Sequence, residues 1–242
     1  PWSGRLQGET VAAVDTIGKH MLIRFENGIR IYSHNQLYGR WYVRDRDRYP
    51  ETNRSLRLAL HTARRSALLY SASAVDVITQ AQLESDRRLA GLGPDPLHPH
   101  VGLAQVKARI SDRRFRGRAL AGLLLDQRFF AGLGNYLRSE ILFDAGVHPA
   151  RRPADCDDRQ LGRLARAILY LTRRSYRTGG ITNDPKRVKQ LRRQGLSRAA
   201  LRFKVFGRAG RPCYLCGTRI LRAPIGGRRA YYCPACQSGG GA

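Results

Sequence analysis

Four cysteines near the C-terminus constrain the fold of this chain more than any other feature. Cys213, Cys216, Cys233 and Cys236 follow the pattern C-x2-C-x16-C-x2-C. Each C-x2-C pair turns two sulfurs toward one centre, so two pairs at this separation are typical of a zinc site with four thiolate ligands. The alternative is two disulfides in a secreted protein, but the first residues lack a secretory signal pattern and Cys156 has no pairing partner. We therefore expect one structural Zn²⁺, with Cys156 an inert thiol.

The charge of the chain is large and uneven. The 44 Lys and Arg residues outnumber the 18 Asp and Glu residues, which gives a net charge of +26. Residues 151–242 hold 22 of the basic residues and only 4 of the acidic ones. An arginine-rich composition explains why only five of the basic residues are Lys, but not this shortage of acids. A polyanionic partner is expected, and nucleic acid is favoured over a membrane surface because no strongly amphipathic helix accompanies the charge. No apolar run reaches 18 residues, which argues against a membrane-spanning protein.

The first ninety residues predict short antiparallel strands. The strand pattern flanks Asn27-Gly28, a pair typical of a two-residue hairpin turn with positive φ at both positions. Further strands are predicted at residues 40–43, 56–61 and 67–71, and residues 44–53 are expected to form an exposed loop. Such spacing is typical of a sandwich or barrel.

A stretch dense in Gly and Pro, residues 91–99, predicts an interdomain linker, and helical patterns follow it. Apolar periodicity predicts helices at residues 103–110, 119–127, 135–145 and 161–171, whereas residues 179–198 predict a mobile loop. The fold class is therefore α+β. We expect three domains: an N-terminal antiparallel β-sandwich at 1–93, a helical domain at 94–205, and a zinc β-ribbon with a tail at 206–242.

Two segments outside the cysteines suggest contacts with a phosphate backbone. Residues 123–136 join two helices through a turn that contains Gly132 and Gly134, and Asn135 opens the second helix. A helix start is an anion site, so Asn135 either contacts DNA phosphate or is simply the N-cap, and spacing alone favours the N-cap. In the ribbon, Arg228 lies in a turn that could insert a guanidinium against DNA, although such ribbons also serve protein contacts or structure alone.

Two candidates lie in the strand region. Gln36, Leu37 and Tyr38 follow the hairpin and could form a wedge that fills the space left by a displaced base. The alternative, which the residues alone favour, is a strand end with Leu37 and Tyr38 in the core. Lys19 precedes a predicted strand and is either simply solvated or a residue whose role needs an ammonium.

In this order, these segments resemble the family of zinc-finger DNA glycosylases that comprises formamidopyrimidine-DNA glycosylase and endonuclease VIII. The resemblance spans nearly the whole chain and is carried by residues 17–20, 32–39, 93–95, 123–137, 203–208, 227–228 and 233–237. Residues 123–137 match the helix-two-turn-helix motif of the family. Residues 32–39 are similar to the endonuclease VIII branch.

The resemblance implies an enzyme of base-excision repair. Such enzymes flip an oxidised base out of double-stranded DNA, cut its glycosidic bond and cleave the abasic strand by β,δ-elimination. The similarity to the endonuclease VIII branch implies that the substrates are oxidised pyrimidines. Lys19 would assist elimination or contact the backbone, and Arg228 would assist elimination and bind phosphate. Asn135 would bind the phosphates beside the lesion, and Gln36, Leu37 and Tyr38 would fill the gap. The implied protein is a monomer of the cytoplasm and nucleoid, with no membrane partner.

The chain departs from the family pattern at two places. The family nucleophile is an N-terminal proline followed by glutamate, whereas Pro1 is followed by Trp2-Ser3-Gly4. Residues 1–11 resemble an internal stretch of the family, so we expect an N-terminal truncation of roughly thirty residues, Pro1 as an ordinary proline, and little or no glycosylase activity. The second departure is Gly91, where the branch can carry a DNA-contacting arginine; Arg87 or Arg88 could compensate.

The main competing hypothesis is a non-catalytic zinc-ribbon DNA-binding protein, which the basic charge and the ribbon would suit equally well. A structural ribbon in an unrelated enzyme is a weaker hypothesis, because it leaves residues 123–137 and 32–39 unexplained.

Overall fold

The computed structural model describes residues 3–237, so Pro1, Trp2 and the predicted tail from residue 238 lie outside the described residues. The chain divides into two compact units, unit 1 at residues 1–91 and unit 2 at residues 92–242. The ribbon at 206–237 falls within unit 2.

Unit 1 is a β-sandwich, as the fold class predicted. Its elements are α1 (Ser3–Leu6), β1 (Val11–Ile17), β2 (His20–Phe25), β3 (Arg30–His34), β4 (Arg40–Asp45), β5 (Leu56–His61), β6 (Arg65–Tyr70), β7 (Ala74–Ile78), α2 (Gln80–Glu84) and α3 (Arg87–Ala90). Antiparallel pairing gives one sheet in the order β1-β2-β3-β7 and another in the order β4-β6-β5. Ile23 and Ile31 of the first sheet pack in one cluster with Trp41 and Leu58 of the second. This cluster is the core of the sandwich.

The hairpin between β2 and β3 is one residue longer than predicted. The Phe25 amide donates to the Ile29 carbonyl, which closes a three-residue loop over residues 26–28. Only Gly28 of this loop has a positive φ, +81°, and the Asn27 side chain instead accepts from the Ile29 amide. A three-residue loop with glycine in the left-handed position is the next commonest hairpin geometry.

The sequence patterns missed the two outer strands of the four-stranded sheet and the short helices that follow it. Val11, Val14 and Ile17 of β1 are exposed, so the strand lacks the alternation between buried and polar positions that marks a half-buried strand. Helices α2 and α3 span five and four residues, too few for a periodic pattern, and are set by side-chain caps at Thr79 and Asp86.

Unit 2 is helical, with the two-stranded ribbon at its C-terminal end. Its elements are α4 (Leu103–Ser111), α5 (Leu120–Leu123), α6 (Asn135–Ala145), a 3-10 turn (Pro153–Asp155), α7 (Asp158–Thr178), α8 (Pro185–Arg193), α9 (Arg198–Leu201), β8 (Leu221–Ile225) and β9 (Arg228–Tyr232). Buried faces of α4, α5, α6 and α7 share one apolar cluster. Within residues 3–237, no helix is both long enough and apolar enough to cross a bilayer.

The helix predicted at residues 119–127 is a single turn, α5. The chain then leaves helical geometry because side chains take over the backbone hydrogen bonds. Asp126 accepts from the Arg128 amide. Gln127 accepts from the Gly132 amide and donates to the Leu133 carbonyl. These contacts build the turns that lead into α6.

The mobile loop predicted at residues 179–198 is wrong, because it contains α8. Asp184 caps this helix by accepting from the amides of Lys186 and Arg187, and Pro185 occupies its first position. Only Val188 and Leu191 of this helix are buried. Two apolar residues among many basic ones are too few to reveal the helical periodicity of a buried face.

The predicted linker is bound to the helical unit rather than free. The Gly93 amide donates to the Gln127 carbonyl, and the Ala131 amide donates to the Pro94 carbonyl. A Cβ on Gly93 would lie 2.4 Å from the Arg128 carbonyl oxygen, so this close approach requires glycine. The boundary between the units therefore falls just before this segment, at residues 91 and 92.

Candidate nucleic-acid interface and metal centre

Asn135, the first residue of α6, is placed so that its side-chain amide nitrogen can donate to an anion. Gly134, not Asn135, is the N-cap residue, and no side chain caps this helix start. The simple N-cap reading of Asn135 is therefore wrong. The Asn135 side-chain oxygen accepts from Arg138 Nη2 at 2.5 Å, so the amide nitrogen of Asn135 is left as a donor. A donor amide beside uncapped backbone N–H groups is well suited to a phosphate oxygen.

Arg138 joins this helix start to the ribbon. Its side chain is fully buried, and its guanidinium donates to the Ile225 carbonyl at 2.8 Å and to the Arg228 carbonyl at 3.2 Å. One guanidinium therefore contacts both Asn135 and the end of the ribbon hairpin. Burial, and then the charge of Arg228, lowers the pKa of Arg138 to about 10, so it remains protonated at neutral pH.

The ribbon turn brings an exposed arginine to the same place. Ile225 pairs with Arg228 across the two-residue turn Gly226-Gly227, in which both glycines have positive φ. The Arg228 side chain is exposed, while its carbonyl is held by Arg138. Asn135 and Arg228 thus form one composite surface within unit 2, a feature that we name the phosphate clamp.

The clamp depends on contact between the ribbon turn and α5. A Cβ on Gly226 would lie 2.7 Å from the Cα of Gly122, whereas a Cβ on Gly227 would meet nothing within 4 Å. We expect Gly226→Ala to destabilise the protein by about 2–3 kcal/mol and to lower DNA affinity about tenfold, because the turn must lift off α5. Gly227→Ala, with φ +75°, is the matched control and should cost only about 1 kcal/mol of backbone strain. Urea unfolding and DNA titrations measure both effects; equal losses in the two variants would contradict this packing role.

A buried carboxylate anchors the segment before the ribbon. Glu140, fully buried on α6, accepts from the amides of Lys204, Val205 and Phe206 at 2.8–3.0 Å and from Thr182 Oγ1 at 2.8 Å. These bonds hold residues 204–206 against the helix that carries the clamp.

The four cysteines of the predicted site lie together. All four sulfurs fall within 4.8 Å of one another, with Sγ distances of 3.9 Å for Cys213–Cys236 and 3.5 Å for Cys216–Cys233. Tetrahedral ligation at a Zn–S distance of about 2.3 Å needs sulfurs about 3.8 Å apart. The donor set therefore fits one metal ion of the zinc type.

The cysteine cluster is supported by hydrogen bonds from the rest of unit 2. Gln237 accepts from the Cys233 amide at 2.9 Å and donates to the Val147 carbonyl at 2.8 Å. Cys156 lies outside the cluster, directly after the 3-10 turn, and burial raises the pKa of its thiol. This placement agrees with an unreactive thiol in a loop.

In unit 1 the predicted wedge is an exposed loop. Leu37 and Tyr38 are 79% and 69% exposed, so the alternative that places them in the core is wrong. Gln36 has a left-handed φ of +47°. The Gly39 amide donates to the Asn35 carbonyl. A Cβ on Gly39 would lie 2.6 Å from the Asn35 Cα, so this turn requires glycine. The tight turn presents three adjacent side chains to solvent.

Lys19 lies in the turn between β1 and β2, next to a histidine pair. His20 and His34 face each other in the sheet register and stack with ring centroids 4.7 Å apart, and His20 Nδ1 contacts the Tyr32 hydroxyl at 2.6 Å. Burial, then the neighbouring His34, lowers the pKa of His20. This register places Lys19 and the wedge loop at the same end of two adjacent strands.

Arg88, one of the two arginines expected to compensate for Gly91, is exposed but already forms contacts within unit 1. Its guanidinium lies 4.0 Å from the Tyr32 ring centroid and forms ion pairs with Asp76 and Asp86 at 2.5 Å. Arg87 is also exposed, so Arg87 and Arg88 both remain candidates for that DNA contact.

The chain matches known proteins of one family. The formamidopyrimidine-DNA glycosylase H2TH domain family model matches residues 92–186. Endonuclease 8 of Klebsiella pneumoniae and that of Escherichia coli are each 44% identical to the chain over 237 residues, covering 98% of the chain and 87% of the relative. The chain belongs to the formamidopyrimidine-DNA glycosylase/endonuclease VIII family. It is thus a DNA glycosylase and AP lyase of base-excision repair.

Solved structures of this glycosylase family share the fold. Formamidopyrimidine-DNA glycosylase of Lactococcus lactis, bound to DNA containing an AP site, has a TM-score of 0.76 at 20% identity and covers 96% of this chain and 82% of that one. MutM in complex with DNA containing carbocyclic 8-oxo-G has a TM-score of 0.78 at 20% identity, with 97% and 84% covered.

Sequence reasoning missed two residues of the glycosylase that organise the clamp. Arg138 and Glu140 sit on α6 three and five residues after Asn135, and both are charged on a helix otherwise rich in buried positions. Charged side chains are almost never fully buried unless they are paired or hydrogen-bonded. Two charged residues inside the predicted apolar helix were the available signal.

Proposed function

We propose that the substrates of this glycosylase are oxidised pyrimidines in double-stranded DNA, and that the family reaction on them ends in cleavage of the abasic strand by β,δ-elimination. Trp2 follows Pro1 where the family has glutamate, so we expect this chain to bind such DNA with little or no glycosylase activity. The observation that carries the proposal is the phosphate clamp, in which Arg138 holds the helix start at Asn135 and the ribbon end at Arg228 together. The 44% identity to Endonuclease 8 supports the pyrimidine preference.

We assign each site residue a task that its chemistry allows. The Asn135 amide and the Arg228 guanidinium bind the phosphates beside the lesion, because a donor amide and a guanidinium both match phosphate oxygens. The Lys19 ammonium contacts the backbone near the lesion or assists elimination. Gln36, Leu37 and Tyr38 occupy the space that the extruded base leaves in the duplex.

We also propose that the four-cysteine cluster holds one structural Zn²⁺. The ion would supply no chemistry to the reaction and would fix the fold of the ribbon, since four thiolates leave no open coordination position. Cys213, Cys216, Cys233 and Cys236 are the ligands.

Lesion-specific cleavage tests the function. Labelled duplexes that differ only in one central base would carry thymine glycol, 8-oxoguanine or undamaged thymine, and single-turnover strand cleavage would be followed on gels. Since little or no cleavage is expected of this chain, its affinity for each duplex is also measured. The proposal predicts binding of the thymine glycol duplex at least tenfold tighter than that of the 8-oxoguanine duplex, with any cleavage in the same order and none of the undamaged duplex. A preference for 8-oxoguanine would contradict the pyrimidine assignment, and equal binding of all three duplexes without cleavage would indicate a non-catalytic DNA-binding protein.

The wedge loop should determine the preference for damaged DNA. We expect Leu37→Ala to weaken binding to a duplex with a tetrahydrofuran abasic analogue about tenfold while leaving affinity for intact duplex unchanged, because the apolar side chain fills space only where a base is displaced. Val43→Ala, at a residue 61% exposed on β4, is the control for loss of exposed apolar surface. Fluorescence anisotropy measures both affinities; an equal loss on intact duplex would argue against a wedge.

A further inference from the structure

One face of α7 is a regular row of exposed basic side chains. The arginine face consists of Arg159, Arg163, Arg166, Arg173 and Arg177, which recur at intervals of three, four and seven residues along this 21-residue helix. All are exposed except the half-buried Arg173. No acidic residue follows Asp158 in the helix. At a rise of about 1.5 Å per residue, the row spans about 27 Å.

The arginine face points away from the phosphate clamp. Ser175 Oγ contacts the Tyr136 hydroxyl at 2.8 Å, so this side of α7 faces the start of α6. Successive residues rotate by about 100° around a helix, which places Arg177 about 200° from Ser175. The arginine face therefore lies on the opposite side of α7 and is a separate surface within unit 2.

No ion pair among the described residues neutralises the charge of this face. Arg163 donates to the Ala145 carbonyl, and Arg173 donates to the carbonyls of Pro96 and Val101. These acceptors are uncharged, so they fix the direction of two guanidinium groups without cancelling their charge. Arginines elsewhere in the described chain, such as Arg114 with Asp112, do form ion pairs, but none of the described ion pairs involves the arginine face.

The row borders a shallow groove that would accept a chain-like ligand. A groove of about 640 Å³ is lined by four of the arginines together with Leu103, Tyr170 and Asp144, and a further groove of about 520 Å³ continues past Arg159, Lys107 and Asp158. Both carboxylates already pair with lysines, Asp144 with Lys204 and Asp158 with Lys107. Tyr170 is 47% exposed. Its ring and hydroxyl offer contacts to a sugar, a base or a phosphate.

We propose that the arginine face of α7 is a second DNA-binding surface, which holds the sugar-phosphate backbone of a DNA segment other than the one held by the clamp. About 27 Å of duplex axis carries about eight phosphates per strand, so a linear row of guanidinium groups matches the charge of a linear polyanion. Guanidinium groups also bind phosphate in a bidentate manner. An acidic protein partner fits less well, because the charge extends along the helix instead of surrounding an apolar pocket.

The test uses the full chain with its clamp already filled. The protein is saturated with an unlabelled 13-base-pair duplex that carries a tetrahydrofuran abasic analogue, and a labelled second DNA is then titrated in, either a 20-nucleotide thymidine strand or an intact 20-base-pair duplex. The second surface predicts binding of at least one of these DNAs to the preformed complex. The two arms show whether the face takes single-stranded or duplex backbone.

Variants assign the second binding event to α7. The triple variant Arg159→Gln, Arg166→Gln, Arg177→Gln removes three positive charges. In the described chain none of these three side chains donates a hydrogen bond to a backbone carbonyl. The triple variant should weaken binding of the second DNA at least tenfold and lower the slope of log affinity against log salt by about two to three, while affinity for the abasic duplex changes less than twofold. The matched control is Arg57→Gln, Arg113→Gln, Arg116→Gln, three exposed arginines elsewhere.

Four results would overturn the proposal. The first is the absence of a second binding event, and the second is a control variant that weakens the second binding event as much as the α7 variant does. The third is an α7 variant that loses as much affinity for the abasic duplex as for the second DNA. The fourth is displacement of the second DNA by poly-glutamate at the same charge concentration. The last result would identify the face as a site for acidic proteins. A first binding event that is itself absent would instead contradict the proposed function, so the two failures are distinguishable.

Discussion

Cys233→Ser is expected to release the metal ion and unfold the ribbon while unit 1 stays folded. Cys233 is fully buried in a cluster with Phe143, Val205 and Ile220, and its sulfur lies 3.5 Å from that of Cys216. Structural zinc contributes about 10–16 kcal/mol to the folding of small zinc modules. Loss of one thiolate therefore removes the main stabilising interaction of residues 206–237. Since the ribbon carries Arg228, affinity for abasic duplex should fall at least tenfold.

Metal analysis and circular dichroism measure this outcome. We expect one zinc per chain in the natural sequence, less than a tenth of that in Cys233→Ser, and β-sheet signal retained from unit 1. Cys156→Ser is the matched control, because Cys156 lies outside the cluster, and it should keep both zinc and affinity. A zinc-free variant with unchanged DNA affinity would show that the ribbon plays no part in binding.

Glu140→Gln is expected to lower the free energy of unfolding by about 3 kcal/mol. Glu140 Oε1 accepts from the amides of Val205 and Phe206, and Oε2 accepts from the Lys204 amide and Thr182 Oγ1. Glutamine keeps the shape of the side chain but replaces one carboxylate oxygen with an NH₂ group. In this fully buried site the NH₂ group would face backbone N–H groups or a hydroxyl that now donate to Glu140, so these donors would lose their acceptor. Leaving such groups unsatisfied costs about 1–3 kcal/mol each, and bonds to a charged acceptor are the stronger ones.

Urea unfolding of unit 2 tests this expectation against a second acidic residue of the same helix. Asp144 is exposed and forms an ion pair with Lys204, so Asp144→Asn should cost less than about 1 kcal/mol. The Glu140 variant should also bind abasic duplex more weakly, because residues 204–206 lose their attachment to α6. Equal stabilities of the two variants would contradict a structural role for the Glu140 carboxylate.

The parts of the fold that the sequence predicted are those with a strong local signal. The bounds of α6, Asn135–Ala145, agree with the predicted 135–145, because the glycine turn marks its start and Gly146, in the left-handed conformation, ends it. The cysteine spacing identified the four clustered sulfurs, since ligand spacing alone encodes such a site.

The parts that were missed depend on tertiary contacts. Helix α8 is held by two buried residues and a cap, and α5 stops early because Gln127 bonds to residues five and six positions further along the chain. Exposure of Leu37 and Tyr38 could not be deduced from their apolar character, which favours the core. It follows from the tight turn that Gly39 permits.

The link between helix and ribbon could not be predicted from sequence. Arg138 contacts carbonyls 87 and 90 residues further along the chain. No pattern within a short window carries that information. The same holds for Glu140, whose partners lie 42 to 66 residues away.

A double-mutant cycle on the phosphate clamp tests the central claim most directly. Affinity for a duplex with a tetrahydrofuran abasic analogue is measured for the natural chain, Asn135→Ala, Arg228→Ala and the double variant. Hydrogen bonds to charged groups contribute about 1.5–3 kcal/mol, so each single variant should lose at least tenfold, and Arg228→Ala should also lower the salt slope by about one. Arg138 holds Asn135 and the Arg228 backbone together. If both side chains bind the same phosphates, as proposed, the double variant should lose clearly less than the product of the single losses. Losses that multiply fully, or a single variant with unchanged affinity, would show that Asn135 and Arg228 do not form one site.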